Sequence, residues 1–215
     1  MKLGKILIAF MALLLPASAF AEDPLEALAS KVKNNHVSFS YSFNISSNSF
    51  TGSGQGQVED SYYKIVSKGM SLYCDGKSRW TVDESAKEVV VEPVESNSSD
   101  FLTCPAALLA DFDTYFSRVS NASGRFDGKT VKIVTMTPKA HMLSKVPIFG
   151  KTVTISKVQL YFHGNDLVGM LIRSGEGSEA AFKISGLTFS AKKGAAPFRF
   201  NTSSLPSDWV VTDLR

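Results

Sequence analysis

The sequence predicts a mainly β protein with some α structure: a curved antiparallel sheet of about eleven strands, with one N-terminal helix and a short mid-chain helical insertion. Such a sheet is either a closed barrel or an open half-barrel with the helices in its concavity. Three observations carry this. His36 to Ile45 alternates strictly, with Val37, Phe39, Tyr41, Phe43 and Ile45 on one side and Ser38, Ser40, Ser42 and Asn44 on the other. Side chains of a strand alternate with period two, so this ribbon is apolar on one face and wet on the other. Strand-like runs separated by turn signals then fill most of the chain, and a sheet of that many strands must curl. Only two stretches, Pro24 to Lys33 and Asp100 to Phe116, carry helical patterning.

The chain opens with a leader. Lys2 and Lys5 precede an apolar run from Ile6 to Leu15, and Ala19-Phe20-Ala21 is a small-residue cleavage signal. The run is shorter than the roughly 20 residues of a membrane span. Residues 1–21 are therefore expected to be removed and residues 22–215 to form one exported, soluble domain. The leader holds two of the 23 basic residues, so the mature chain is nearly balanced against its 20 acidic ones. Such a surface gives no reason to expect a nucleic-acid partner.

Asp23-Pro24 starts the first helix. The carboxylate can cap free amides, and proline is tolerated at the first helical position. Leu25, Leu28 and Val32 then form one apolar stripe. After the alternating ribbon comes Gly52-Ser53-Gly54-Gln55-Gly56. It lacks the Gly-Lys-Ser/Thr ending of a phosphate loop, so it is read as a strand whose glycines mark bending or close backbone approach. Tyr62–Ser67, Met70–Cys74, Lys77–Asp83 and Glu88–Val94 continue the meander, with Asp75-Gly76 as a hairpin turn.

Asp100 to Phe116 holds Phe101, Leu102, Leu108, Leu109 and Phe112, and Pro105 divides it into two helical pieces. Strands resume at Ser117–Phe126 and Lys129–Thr137. Pro138 to Gly150 reads as an apolar loop. The last third reads as Thr152–His163, Asp166–Arg173, Glu179–Ala191 and a final strand near Phe198–Asn201, with Trp209-Val210-Val211 as a terminal edge strand.

Catalytic machinery is not visible. His36, His141 and His163 stand apart from any nucleophile elbow, and no H-E-x-x-H occurs. No enzyme activity, cofactor or metal is expected. Cys74 and Cys104 lie in an exported chain, where an isolated pair forms a disulfide or remains as two packed thiols.

The ordered set Gly54-Gln55-Gly56, Asp75-Gly76-Lys77-Ser78-Arg79-Trp80, Glu88-Val89-Val90-Val91, Pro105-Ala106-Ala107-Leu108-Leu109, Thr137-Pro138-Lys139 and Phe198-Arg199-Phe200 resembles the periplasmic outer-membrane lipoprotein carriers of the LolA family. It looks most like the divergent members of Bacteroides-type bacteria. The resemblance implies the open half-barrel, its concave face covered by the N-terminal helix and a short mid-chain helical lid, and a monomeric chaperone that shields lipoprotein acyl chains in an apolar cavity. It also implies an inner-membrane release complex and an outer-membrane acceptor as partners. The cavity is then expected to be lined by Phe39, Tyr41, Phe43, Leu72, Trp80, Val82, Leu108, Leu109 and Phe112. Leu25, Leu28, Val32, Phe101 and Leu102 belong to the lid. Family relatives place an arginine just before a proline on an early strand, where it holds the lid; Val58-Glu59-Asp60-Ser61 has neither, and a Cys74–Cys104 bridge could serve instead. The alternatives are a carrier or sensor of another amphiphile, such as a glycolipid or fatty acid, and an interaction module whose apolar face is core only.

Overall fold

The computed structural model describes residues 23–46, 49–94, 112–139, 146–148 and 151–215. Helix α1, Pro24–Asn34, begins as the sequence predicts. Asp23 caps it by accepting from the amides of Leu25 and Glu26, with Pro24 in the first turn. Eleven residues are too few for a stable isolated helix in water. Packing holds it: Leu25, Leu28 and Val32 are almost fully buried, and each such side chain contributes roughly 1.5–3 kcal/mol.

Strands follow in chain order: β1 His36–Ile45, β2 Phe50–Glu59, β3 Tyr62–Ser67, β4 Met70–Cys74, β5 Ser78–Asp83 and β6 Glu88–Pro93. A helical turn, α2, spans Phe112–Tyr115. Then come β7 Phe116–Phe126, β8 Lys129–Pro138, β9 Val146–Ile148, β10 Lys151–Val153, β11 Ile155–His163, β12 Asp166–Ser174, β13 Glu179–Ser190 and β14 Val210–Asp213. Twelve of them form one sheet in the order β14-β6-β5-β4-β3-β2-β1-β13-β12-β11-β8-β7. The first and last strands do not meet, so the sheet stays an open half-barrel.

Three details differ from the sequence reading. The segment read as a loop from Pro138 to Gly150 contains β9, which pairs with β10 as a separate ribbon. No strand forms at Phe198–Asn201; Ala196–Phe198 is a single 3-10 turn. The terminal edge strand does form, but β14 lies parallel to β6, the one parallel pair described in an otherwise antiparallel sheet. Residues 191–209 run between β13 and β14 across the outer face, and a chain returning that way reaches β6 with parallel polarity.

The inner, concave face packs on α1. Its core joins Leu25, Leu28 and Val32 to Val37, Phe43, Val134, Val158 and Leu160 of the sheet. A second, smaller core of Trp80, Val82, Val89 and Val91 packs with Tyr73, Phe200, Leu205 and Trp209. The pairing Tyr73↔Trp80 puts these residues opposite Leu72 and Cys74, on the outer face. The C-terminal strap, residues 191–209, covers them.

Candidate functional site

The inner-face site is built by the β1–β2 pair. Phe39 lies opposite Gly56, Tyr41 opposite Gly54 and Phe43 opposite Gly52. Each aromatic ring occupies the space its glycine leaves empty. A Cβ on Gly56 would stand 2.3 Å from Cζ of Phe39, and one on Gly52 would stand 2.6 Å from Cζ of Phe43. Rings lying over glycine form a low platform, a known way of covering glycine in a sheet. Gly54 is tighter still, because its Cβ would also stand 2.2 Å from the main-chain carbonyl of Val66. Tyr41 reaches across β2, and its hydroxyl hydrogen-bonds that of Ser67 at 2.6 Å.

The rings form a continuous row. Centroids of Phe39 and Tyr41, and of Tyr41 and Phe43, are 6.3 Å apart. Phe43 also meets Phe182 of β13 at 5.9 Å. Leu72 shares this face through Ile65, with which it pairs. Phe39, Tyr41 and Leu72 are only partly buried, whereas Phe43 is core. Of the other expected cavity and lid residues, Leu25, Leu28, Val32 and Phe112 join the inner core. Leu108, Leu109, Phe101, Leu102 and Cys104 lie outside the described residues.

Trp80 and Val82 are corrections. They alternate as expected, but alternation does not say which face is inner. Four residues separate Cys74 from its partner Arg79, and that register turns Trp80 and Val82 outward. In their place the inner side of β5 and β6 carries Arg79, ion-paired to Glu92 at 2.9 Å. Apart from half-buried Val90, the inner surface of β5 and β6 is therefore polar.

Cys74 is buried and carries a free thiol, which donates to the carbonyl of Ser61 at 3.7 Å. Burial pushes its pKa up.

Two polar clusters were not found from the sequence. On the inner side Arg118 of β7 ion-pairs with Asp23, the cap of α1, and its guanidinium stands 5.6 Å from the Phe112 ring centroid. Burial pulls the Asp23 carboxyl upward, but the Leu25 amide and Arg118 outweigh it and hold its pKa below the ordinary value. On the outer side the strap is fastened by two buried acids. Glu59 accepts from the amides of Lys193 and Gly194, both at 2.8 Å, and pairs with His36 at 3.2 Å. Asp75 accepts from the amides of Lys77 and Ser78 and from Arg199. Burial raises the Asp75 pKa, but the two amides and Arg199 more than offset this and leave it lowered. Only long-range register could have revealed the partners that join Asp23 to Arg118 and the strap to Glu59 and Asp75, which lie 95 to 135 residues apart.

Among the described residues no group of three or more His, Cys, Asp or Glu side chains is placed to hold a metal ion. No helix among them is long and apolar enough to cross a membrane.

No family model matches the sequence, and no curated protein matches it. Solved structures do align. A conserved protein from Thermus thermophilus aligns over 88% of this chain and 96% of its own, with TM-score 0.52 and 8% identity. A LolA superfamily protein from Nitrosomonas europaea aligns over 84% and 97%, with TM-score 0.42 and 8% identity. An outer membrane lipoprotein-sorting protein domain from Vibrio parahaemolyticus aligns over 81% and 94%, with TM-score 0.41 and 12% identity. Identities this low speak for the fold alone, and the Thermus thermophilus structure carries that likeness; the open half-barrel is read from the strand order itself.

Proposed function

We propose that this chain is an exported, periplasmic carrier that shields the acyl chains of lipoproteins against the inner face of its half-barrel on the way to the outer membrane. The supporting observation is the aromatic row over the glycines of β2. A core aromatic stands upright and interdigitates with a facing layer. Here Phe39 and Tyr41 lie low and keep part of their surface uncovered. A smooth apolar platform of this kind suits a long, featureless chain, and each methylene it removes from water contributes roughly 0.8 kcal/mol. Affinity then comes from chain length rather than from shape, which suits a cargo whose protein part varies.

In this reading the mature chain begins at Glu22 and the apolar residues Phe101, Leu102, Leu108 and Leu109 supply the cover. Binding and release are its work, not catalysis. Release needs partners at both membranes, a donor complex on the inner one and an acceptor on the outer one.

The test is extraction and mass spectrometry of lipid from gently purified protein, together with titration of a hydrophobic dye. The reading expects co-purified triacylated lipoprotein and a dye displaced by palmitate. Another amphiphile in the extract would replace lipoproteins as cargo. Neither lipid nor dye binding would reduce the platform to core.

A further inference from the structure

The sheet is split between β12 and β13. These strands pair only from Gly169↔Lys183 to Arg173↔Glu179. Beyond that point β12 continues to Asp166 on β11 alone, and β13 continues to Ser190 on β1 alone. The two diverge where β13 carries a register shift against β1, and Gly186 sits there at φ +60°. Between them lies a cleft of about 320 Å³, bordered by Phe126, Leu167, Val168, Ile184 and Leu187.

Two properties define what this cleft can take. First, among the described residues no strand pairs with Ile184–Ser190 on the β12 side. Main-chain N–H and C=O groups along such an edge are a template for another extended chain. Five residues of strand from Ile184 to Thr188 span roughly 16 Å. Second, Leu167 belongs to the inner core, and Ile184 and Leu187 pack against it. The outer border is different: Phe126 lies over Gly169 and stacks on Tyr161 at 4.7 Å, beside the exposed ion pair of Lys183 with Asp127. The cleft therefore leads from the inner apolar surface to solvent, with an unpaired strand edge along its wall.

We propose that this cleft receives the extended peptide segment that follows an acylated residue, pairing its main chain with β13 while the acyl chains lie on the inner face. The proposal rests on the carrier reading above and adds the path by which the protein part of the cargo leaves the cavity. Recognition is by main chain, so it is indifferent to cargo sequence. A free fatty acid would use the platform and leave the edge untouched.

The experiment compares palmitate, an N-palmitoylated Ser-Ser-Asn-Ser-Asn-Lys peptide and the same peptide without acyl chain. Affinity and amide hydrogen exchange across β13 are read for each. The lipopeptide is expected to bind about tenfold tighter than palmitate, and to slow exchange within Ile184–Thr188 where palmitate does not. Val168→Trp, which fills the cleft, should erase that increment and retain palmitate binding. Should that variant not fold, exchange in the unaltered protein decides the matter. Equal affinities with no protection of β13 overturn the cleft and leave the acyl reading intact. Failure of palmitate with protection by the lipopeptide overturns the acyl reading and leaves the cleft.

Discussion

The two faces of this sheet solve the same problem in opposite ways. Both carry aromatic side chains. On the outer face Trp80 is buried by the chain itself: Trp209 and Leu205 pack against its cluster, and Phe200 lies 5.1 Å from half-buried Tyr73 with the rings tilted. The cover is locked by charge, through Glu59 and Asp75. On the inner face Phe39 and Tyr41 lie over glycines, and α1 covers only part of the surface. A side chain covered by its own chain contributes to stability. One left partly uncovered on a smooth face is available to a ligand. Aromatic residues in a half-barrel thus divide by what covers them, not by hydrophobicity.

The sharpest way to break this contrast is to truncate one aromatic on each face. Trp80→Ala should cost about 3–5 kcal/mol in urea unfolding, with lipid affinity per folded molecule unchanged. Phe39→Glu should instead abolish dye and palmitate binding, with a melting temperature close to that of the parent. If Trp80→Ala weakened binding as much as Phe39→Glu, the division would be wrong.

The glycines sharpen the inner half. Gly54→Ala meets a main-chain carbonyl that cannot move without disturbing β3, and should destabilise by about 1–3 kcal/mol. Gly56→Ala meets only the Phe39 ring, which can swing off the strand. It should cost less stability than Gly54→Ala and lower palmitate affinity by raising the platform.

Acid should act on the outer half through Asp75. The Asp75 pKa is lowered in the folded protein, so its contribution is fully present above the unfolded value near 4 and is lost as pH falls through the folded one. Asp75→Asn should flatten the loss of stability below about pH 4, and proteolysis at the strap should report it. Asp23 has the same sign on the inner side. Arg118→Ala should free α1 at a cost of about 1–2 kcal/mol, the smallest of these effects.

Most of the architecture was legible because it is local. The cap at Asp23, the stripe of α1, the alternation of β1 and the turn glycines Gly76, Gly128 and Gly164, all at positive φ, are each fixed by neighbours in sequence. The platform was half legible. Glycines at period two in β2 facing aromatics at period two in β1 are visible as two patterns, and only the hairpin register joins them. Trp80 and Val82 were misplaced because period two names two faces without saying which is inner. The strap was unreadable for a different reason: its partners are chosen by tertiary position, and Phe198-Arg199-Phe200 imitates a strand while serving as three anchors. Leu108 and Leu109 lie outside the described residues, so the lid stays as the proposal the sequence makes; Cys74 carries a free thiol, so the expected Cys74–Cys104 bridge is not formed in this structure.

The strap also sets an order of events. A chain is synthesised N-terminus first. The β1–β2 hairpin needs only neighbouring residues, so the platform can assemble early. Trp80, Val89 and Val91 must wait for Phe200, Leu205 and Trp209, more than a hundred positions later. Contacts so distant along the chain form slowly. The nascent molecule therefore passes through an interval in which its inner platform exists while its opposite face is still bare. In that interval the outer face, not the platform, is the sticky side.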